Sequence, residues 1–149
     1  MNTFPKELIT KEDTVLDLFC AGFLGENTLQ NFYPEFKSYL GIDNDKGKIR
    51  QMQLLFPAAS FIWEDYFTSL KWIDFFDYKY DILISDPWSG EMEDGFKKII
   101  IPFSEHIDKY MILGGLLPYP DEIGKFQFKE KMLRNANTNC YWYIYELKA

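Results

Sequence analysis

Basic charge is in deficit in this chain: 16 Lys and Arg face 23 Asp and Glu, leaving a net charge of -7. Phosphate neutralisation supplies much of the affinity of a free-standing nucleic-acid binder, so the deficit disfavours a nucleic-acid partner without excluding a local basic patch. A protein partner or a dimer gains weight in its place. Cysteine is almost absent, with Cys20 and Cys140 alone, which excludes a disulfide framework and suits a reducing compartment. One histidine, His106, is present, and no Cys/His/Asp cluster has metal-ligand spacing, so no metal is expected. Long apolar runs are missing too. "IIIPF" and "YMILGGLLP" fall far short of the roughly 20 residues that cross a bilayer. The opening "MNTFPKELITKEDT" is polar and charged, unlike a signal peptide. The expected location is cytoplasmic, with no membrane contact. No linker, repeat or low-complexity tract divides the 149 residues, so one domain is expected over 1–149.

What the chain does have is aromatic residues, 19% of the total, which core packing explains best, and an alternation of strand-like and helix-like segments. "TVLDLF" (14–19), "SYLGID" (38–43), "ASFIWED" (59–65), "YDILISD" (80–86), "KYMILGG" (109–115) and "CYWYIYELK" (140–148) read as six strands. Between them, Leu29, Phe32 and Phe36 share one side of a helical pattern before Pro34 bends the chain out. "DKGKIRQMQLLF" (45–56) spaces Ile49, Met52 and Phe56 helically and stops before Pro57. A helix interrupted by Pro102 is expected over 91–107, and a weaker one over 121–135 despite Gly124. This order predicts an α/β fold, a Rossmann-like doubly wound and mostly parallel sheet of about six strands with helices on both faces. Only one strand remains for the C-terminal hairpin, so the sheet is expected to be shortened there, leaving an edge open to a partner.

In such sheets ligands bind beyond the carboxyl ends of the strands. Four polar or small-residue clusters fall there in order: Asp17 to Gly25, Asp43, Asp65, and Ser85 to Trp88. Small residues after the first strand let backbone approach a ligand, with helix N–H groups behind. Asp43, about twenty residues past the turn, suits a ribose diol, and Asp65 can accept from an adenine amino group with Trp63, Tyr66 or Phe67 beside the ring. A full G-x-G-x-x-G is lacking, which weakens a dinucleotide-dependent oxidoreductase.

"VLDLFCAG", "GIDND", "WEDYF" and "ILISDPW" resemble the successive motifs of class I S-adenosylmethionine-dependent methyltransferases over roughly residues 13–118. "FCAGFLGENTLQNF", "IDNDKGKI" and "SDPWSG" are most similar to trimethylguanosine synthases, which methylate guanine N2. The resemblance implies S-adenosyl-L-methionine as cofactor, held by Asp17, Phe19, Cys20, Ala21, Gly22, Gly25, Asp43, Asn44, Asp65 and Tyr66. It implies methyl transfer to an exocyclic amino nitrogen, most naturally of a nucleobase (guanine N2 or adenine N6), by Ser85, Asp86, Pro87 and Trp88. An aromatic amine is a poor nucleophile, so the site's work is to accept its N–H bonds and hold it in line. The Asp86 carboxylate and Pro87 carbonyl have that acceptor character, Trp88 can stack on a flat acceptor, and Ser85 can add a polar contact. Ala21 and Phe23 stand where the family favours glycines, and Trp88 follows one proline where two are usual. Those departures keep a second expectation open, a methyltransferase-fold subunit that binds a partner and has lost catalysis. Cys20 reads as a buried small residue; Lys125, Lys129, Lys131 and Arg134 could contact phosphates beside the site, though a solvated helix face accounts for them better.

Overall fold

Short apolar runs bounded by acids set the frame. In the computed structural model, which describes residues 3–20, 27–64, 78–86, 96–115, 118–135 and 140–149, they form β1 (Thr14–Leu18), β2 (Ser38–Asp43), β3 (Ser60–Trp63), β4 (Tyr80–Ser85) and β5 (Ile107–Leu113). These five pair in parallel in the order β3-β2-β1-β4-β5. Helix α1 (Lys46–Leu55) starts where the Asp45 carboxylate accepts the Lys48 N–H at 3.1 Å, and it buries Ile49 and Met52. It ends before Pro57, as a ring without an N–H requires. The expected helix around Pro102 is a π-helical turn, Phe96–Ile100, running through Ile101–Phe103 into a 3-10 turn, Ser104–His106. The helix expected around Leu29 reduces, among the described residues, to one 3-10 turn, Leu29–Asn31.

Among the described residues the sheet has eight strands, not six, and its C-terminal end is extended rather than shortened. The stretch read as a helix over 121–135 is a hairpin, β6 (Glu122–Ile123) and β7 (Phe126–Asn135), closed by the two-residue turn Gly124–Lys125. Gly124 sits at φ +56° there, a value that glycine adopts without a Cβ penalty. Strand β8 (Cys140–Leu147) inserts between β5 and β7, antiparallel to both. Lys, Glu, Gln and Met favour a helix locally, but the period-2 spacing of Phe126 and Phe128 lets β7 pair with β8, and that pairing overrides propensity.

Strand alternation divides the core in two. On one face Leu16, Leu18, Leu83, Met111, Leu113 and Tyr145 pack against Ile99, Ile100 and Phe103 of the helical segment. On the other, Val15, Ile82, Ile84, Ile112 and Trp142 pack against Ile49 and Met52 of α1 and against Phe4, Leu29 and Phe32. Among the described residues no helix is long and apolar enough to cross a membrane.

Candidate functional site at the carboxyl edge of the sheet

The two edges of the parallel sheet treat their acids differently. At the amino edge, Asp13 is buried but fully engaged: one oxygen accepts from Lys109 Nζ at 2.7 Å and the other from the Thr10 N–H at 2.9 Å. Asp81 likewise accepts from the Thr14 N–H and hydroxyl. At the carboxyl edge, Asp17 Oδ1, Asp86 Oδ2 and Ser85 Oγ are buried with no hydrogen-bond partner among the described residues. Leaving a buried polar atom unpaired costs about 1–3 kcal/mol, so one edge is finished by the protein itself and the other is left for something else.

Strand period brings the acids together. Asp17 lies on the same face of β1 as Val15, Asp43 on the same face of β2 as Tyr39 and Gly41, and Asp86 continues the face of Ile82 and Ile84. Asp17 is fully buried, and Tyr39 donates its hydroxyl to Asp17 Oδ2 at 2.5 Å. Burial pushes the Asp17 carboxyl well above the usual carboxylate range; the Tyr39 bond opposes this, the charges of Asp86 and Asp43 add to it, and Arg134 opposes it. The folded chain therefore binds this proton more tightly than the unfolded chain. Its contribution to stability is complete below the unfolded pKa, roughly 4, and is lost as pH rises through the raised folded value. Replacing Asp17 by Asn removes this loss. The melting temperature of the variant relative to wild type should be higher at pH 8 than at pH 5, as thermal scans at the two values would show.

Asp86 is paired. Arg134 Nη1 donates to Asp86 Oδ1 at 2.6 Å, with both side chains largely buried. The guanidinium lies over the Trp142 ring, 4.6 Å from its centroid. Gly114 makes room for the pair: a Cβ there would stand 2.8 Å from Asp86 Oδ1 and 2.9 Å from Trp142. Its N–H donates to the Ser85 carbonyl, and Tyr119 donates its hydroxyl to the Gly114 carbonyl. The alternation that aims Asp86 at Arg134 turns Ser85 to the opposite face.

Asp43, at the end of β2, accepts the Asp45 N–H at 2.9 Å and is mostly buried. Beyond it, the Asn44 carbonyl accepts from Trp63 Nε1, Lys46 sits over the Trp63 ring, and that indole is 53% exposed. A flat, fixed and open aromatic surface thus stands next to Asp43. The Phe19 and Cys20 side chains are committed to the two cores, so only their backbone can line the turn. Phe19 sits at φ +59°, a left-handed conformation that costs an L-residue about 1–2 kcal/mol. Burial raises the Cys20 thiol well above its ordinary range, with Asp17 and Asp43 adding to it, so it stays a protonated core residue. His106 lies just before β5, at the opposite edge from these acids. Ala21, Gly22, Gly25, Asp65, Tyr66, Pro87 and Trp88 lie outside the described residues.

The sequence reading does not pick out Tyr39 or Gly41, although period 2 along β2 puts both on the face of Asp43. Arg134 stands among the basic residues that could lie beside the site, but its pairing with Asp86 has no local signal. The expected helix is a hairpin, on which Lys125, Lys129 and Lys131 are solvated as expected, whereas Arg134 closes on Asp86.

No protein-family model and no curated protein matches the sequence. Solved structures do. The N-methyltransferase NodS from Bradyrhizobium japonicum WM9 superposes with a TM-score of 0.65 at 11% identity, over 92% of this chain and 86% of that one. A TehB-like S-adenosylmethionine-dependent methyltransferase from Corynebacterium glutamicum gives 0.61 at 14% identity, over 95% and 84%. An rRNA methylase from Streptococcus thermophilus gives 0.59 at 15% identity, over 97% and 92%. The fold is similar to that of these methyltransferases. The antiparallel β8–β7 end belongs to it, and Asp17, Asp43 and Asp86 stand at the sheet edge where such folds bind ligands.

Proposed function

We propose that the chain binds S-adenosylmethionine at this edge and transfers a methyl group to an exocyclic amino nitrogen, most naturally of a nucleobase. The observation that carries the reading is the contrast between the edges: buried carboxyl oxygens are satisfied at one and left unpartnered at the other. Asp17 and Asp43 bring carboxyl groups to this edge, which fit a cationic ligand that carries a ribose. When bound, S-adenosylmethionine supplies an electrophilic methyl on a sulfonium. Asp43 would hold the ribose hydroxyls, with the Trp63 indole beside the adenine. Asp17 would face the cationic part of the cofactor. Asp86 would accept an N–H of the acceptor and align its nitrogen, with Arg134 holding the carboxylate in place.

Calorimetric titration with S-adenosylmethionine and S-adenosylhomocysteine, followed by a labelled-methyl acceptor screen, tests the reading. Micromolar binding supports it, and no binding at millimolar concentration overturns it. Asp43→Ala should weaken both ligands by about tenfold or more, as expected for a lost charged hydrogen bond of roughly 1.5–3 kcal/mol. Unchanged affinity would remove Asp43 from the cofactor site.

A second reading has one observation in its favour: Asp86 already spends an oxygen on Arg134. A partner subunit that has lost catalysis would bind S-adenosylhomocysteine yet transfer no methyl to any acceptor.

A further inference from the structure

The Asp86–Arg134 pair is unusual in how little of its bonding capacity it uses. A guanidinium and a carboxylate commonly meet through two parallel bonds. Here one bond is made, Nη1 to Oδ1. Oδ2 is buried and has no partner among the described residues. Arginine carries five N–H donors, and among the described residues its side chain meets Asp86 and the Trp142 ring. Trp142 fixes the plane of the guanidinium from one side. Gly114 keeps the space at Oδ1 free of a Cβ. Arg134 and Trp142 also line a cleft with Asn27, Thr28 and Asn31, so the residue that holds the buried carboxylate borders an opening.

We infer that Arg134 is the acceptor-selecting residue of this site, and that with Asp86 it reads an amino group together with the ring nitrogen next to it. The inference rests on the proposed methyl transfer and narrows its acceptor. Oδ2 accepts from the exocyclic N–H, and a free N–H of Arg134 donates to the adjacent ring nitrogen. The two protein groups are held to one another, so they present a fixed acceptor–donor edge. An amino-substituted azine carries the complementary donor–acceptor edge, as in the amino edges of adenine, cytosine and guanine N2/N3. An aliphatic amine offers Oδ2 a donor but leaves Arg134 unpaired, and a site left with an unpaired buried donor rejects such a ligand strongly. The requirement for a rigid planar partner follows from the stacked guanidinium, whose donors lie in one plane.

The test uses the full chain saturated with S-adenosylhomocysteine, which blocks the cofactor's own adenosine site. Dissociation constants are measured for adenosine against 1-deazaadenosine and for cytidine against 3-deazacytidine, each pair differing only in the ring nitrogen beside the amino group. Wild type is expected to prefer at least one parent nucleoside over its deaza partner by about tenfold or more. Arg134→Gln and Arg134→Lys should bring that ratio close to one, mainly by weakening the parent. A purely structural role for Arg134 would weaken both members of a pair alike and leave the ratio intact, which overturns the inference. Equal affinities in wild type, or binding of N-acetylglutamine amide with none of the nucleosides, overturn it as well. Having two replacements keeps the test usable if one fails to fold, with S-adenosylhomocysteine binding as the check. Failure of wild type to bind S-adenosylhomocysteine sinks the methyltransferase reading, and this inference with it. Binding without discrimination sinks the inference alone.

Discussion

Asp86→Asn should reduce methyl transfer by about 10²–10³-fold, the range seen when one preorganised polar contact to a developing charge is removed, while S-adenosylhomocysteine affinity stays unchanged. Asparagine keeps an acceptor for Arg134 Nη1, which now meets Asp86 Oδ1 at 2.6 Å, so the local geometry survives. What it loses is the negative charge that strengthens acceptance from an amine turning cationic. Alanine is the poorer test. It would leave a largely buried guanidinium without a partner, and breaking a buried pair from one side costs about 3–5 kcal/mol. Single-turnover rates and calorimetry on the same preparation separate the two effects. A parallel fall in rate and cofactor affinity would place Asp86 in the cofactor site and remove it from the acceptor's.

Trp142→Ala carries the largest expected loss of stability, about 3–5 kcal/mol, a large share of the 5–15 kcal/mol typical of a domain. The indole is 2% exposed and makes contacts in three directions. Its ring edge meets Phe4 with centroids 5.3 Å apart, its Nε1 donates to the Thr3 carbonyl at 2.9 Å, and its face carries Arg134. Trp142→Phe keeps a ring and forfeits the Thr3 bond, which is worth about 1 kcal/mol, together with part of the platform beneath the guanidinium. Urea unfolding of both variants should therefore separate them by about 2 kcal/mol or more, by difference of those two costs. Equal midpoints would mean that the hydrogen bond, not the packing, holds this corner.

The strands of the parallel half were legible because burial on both faces leaves continuous apolar runs, as in "YDILISD", and because acids mark where each run ends. Asp17, Asp43 and Asp86 could be placed from that rule alone. Of the antiparallel end β8 was legible, in "CYWYIYELK" (140–148), and β7 was not. Nothing within 121–135 says that β8 will lie alongside it, and the helix-forming residues of β7 point the wrong way until that neighbour exists. The pairing of Arg134 with Asp86 was not legible for the same cause. The two lie 48 residues apart, and the contact depends on a strand order that local pattern does not encode. Tyr39 is the intermediate case, readable from period 2 once β2 is accepted as a strand.

The position of β8 also governs the order in which the site is put together. Strand β7 reaches the parallel sheet only by way of β8, so Arg134 cannot approach Asp86 before the C-terminal strand has threaded in beside β5. Until then the carboxylates share an edge without the guanidinium. Docking of β7 and β8 thus gives Asp86 its counter-cation, and the site its finished charge pattern, only as the last strands of the chain close on the sheet.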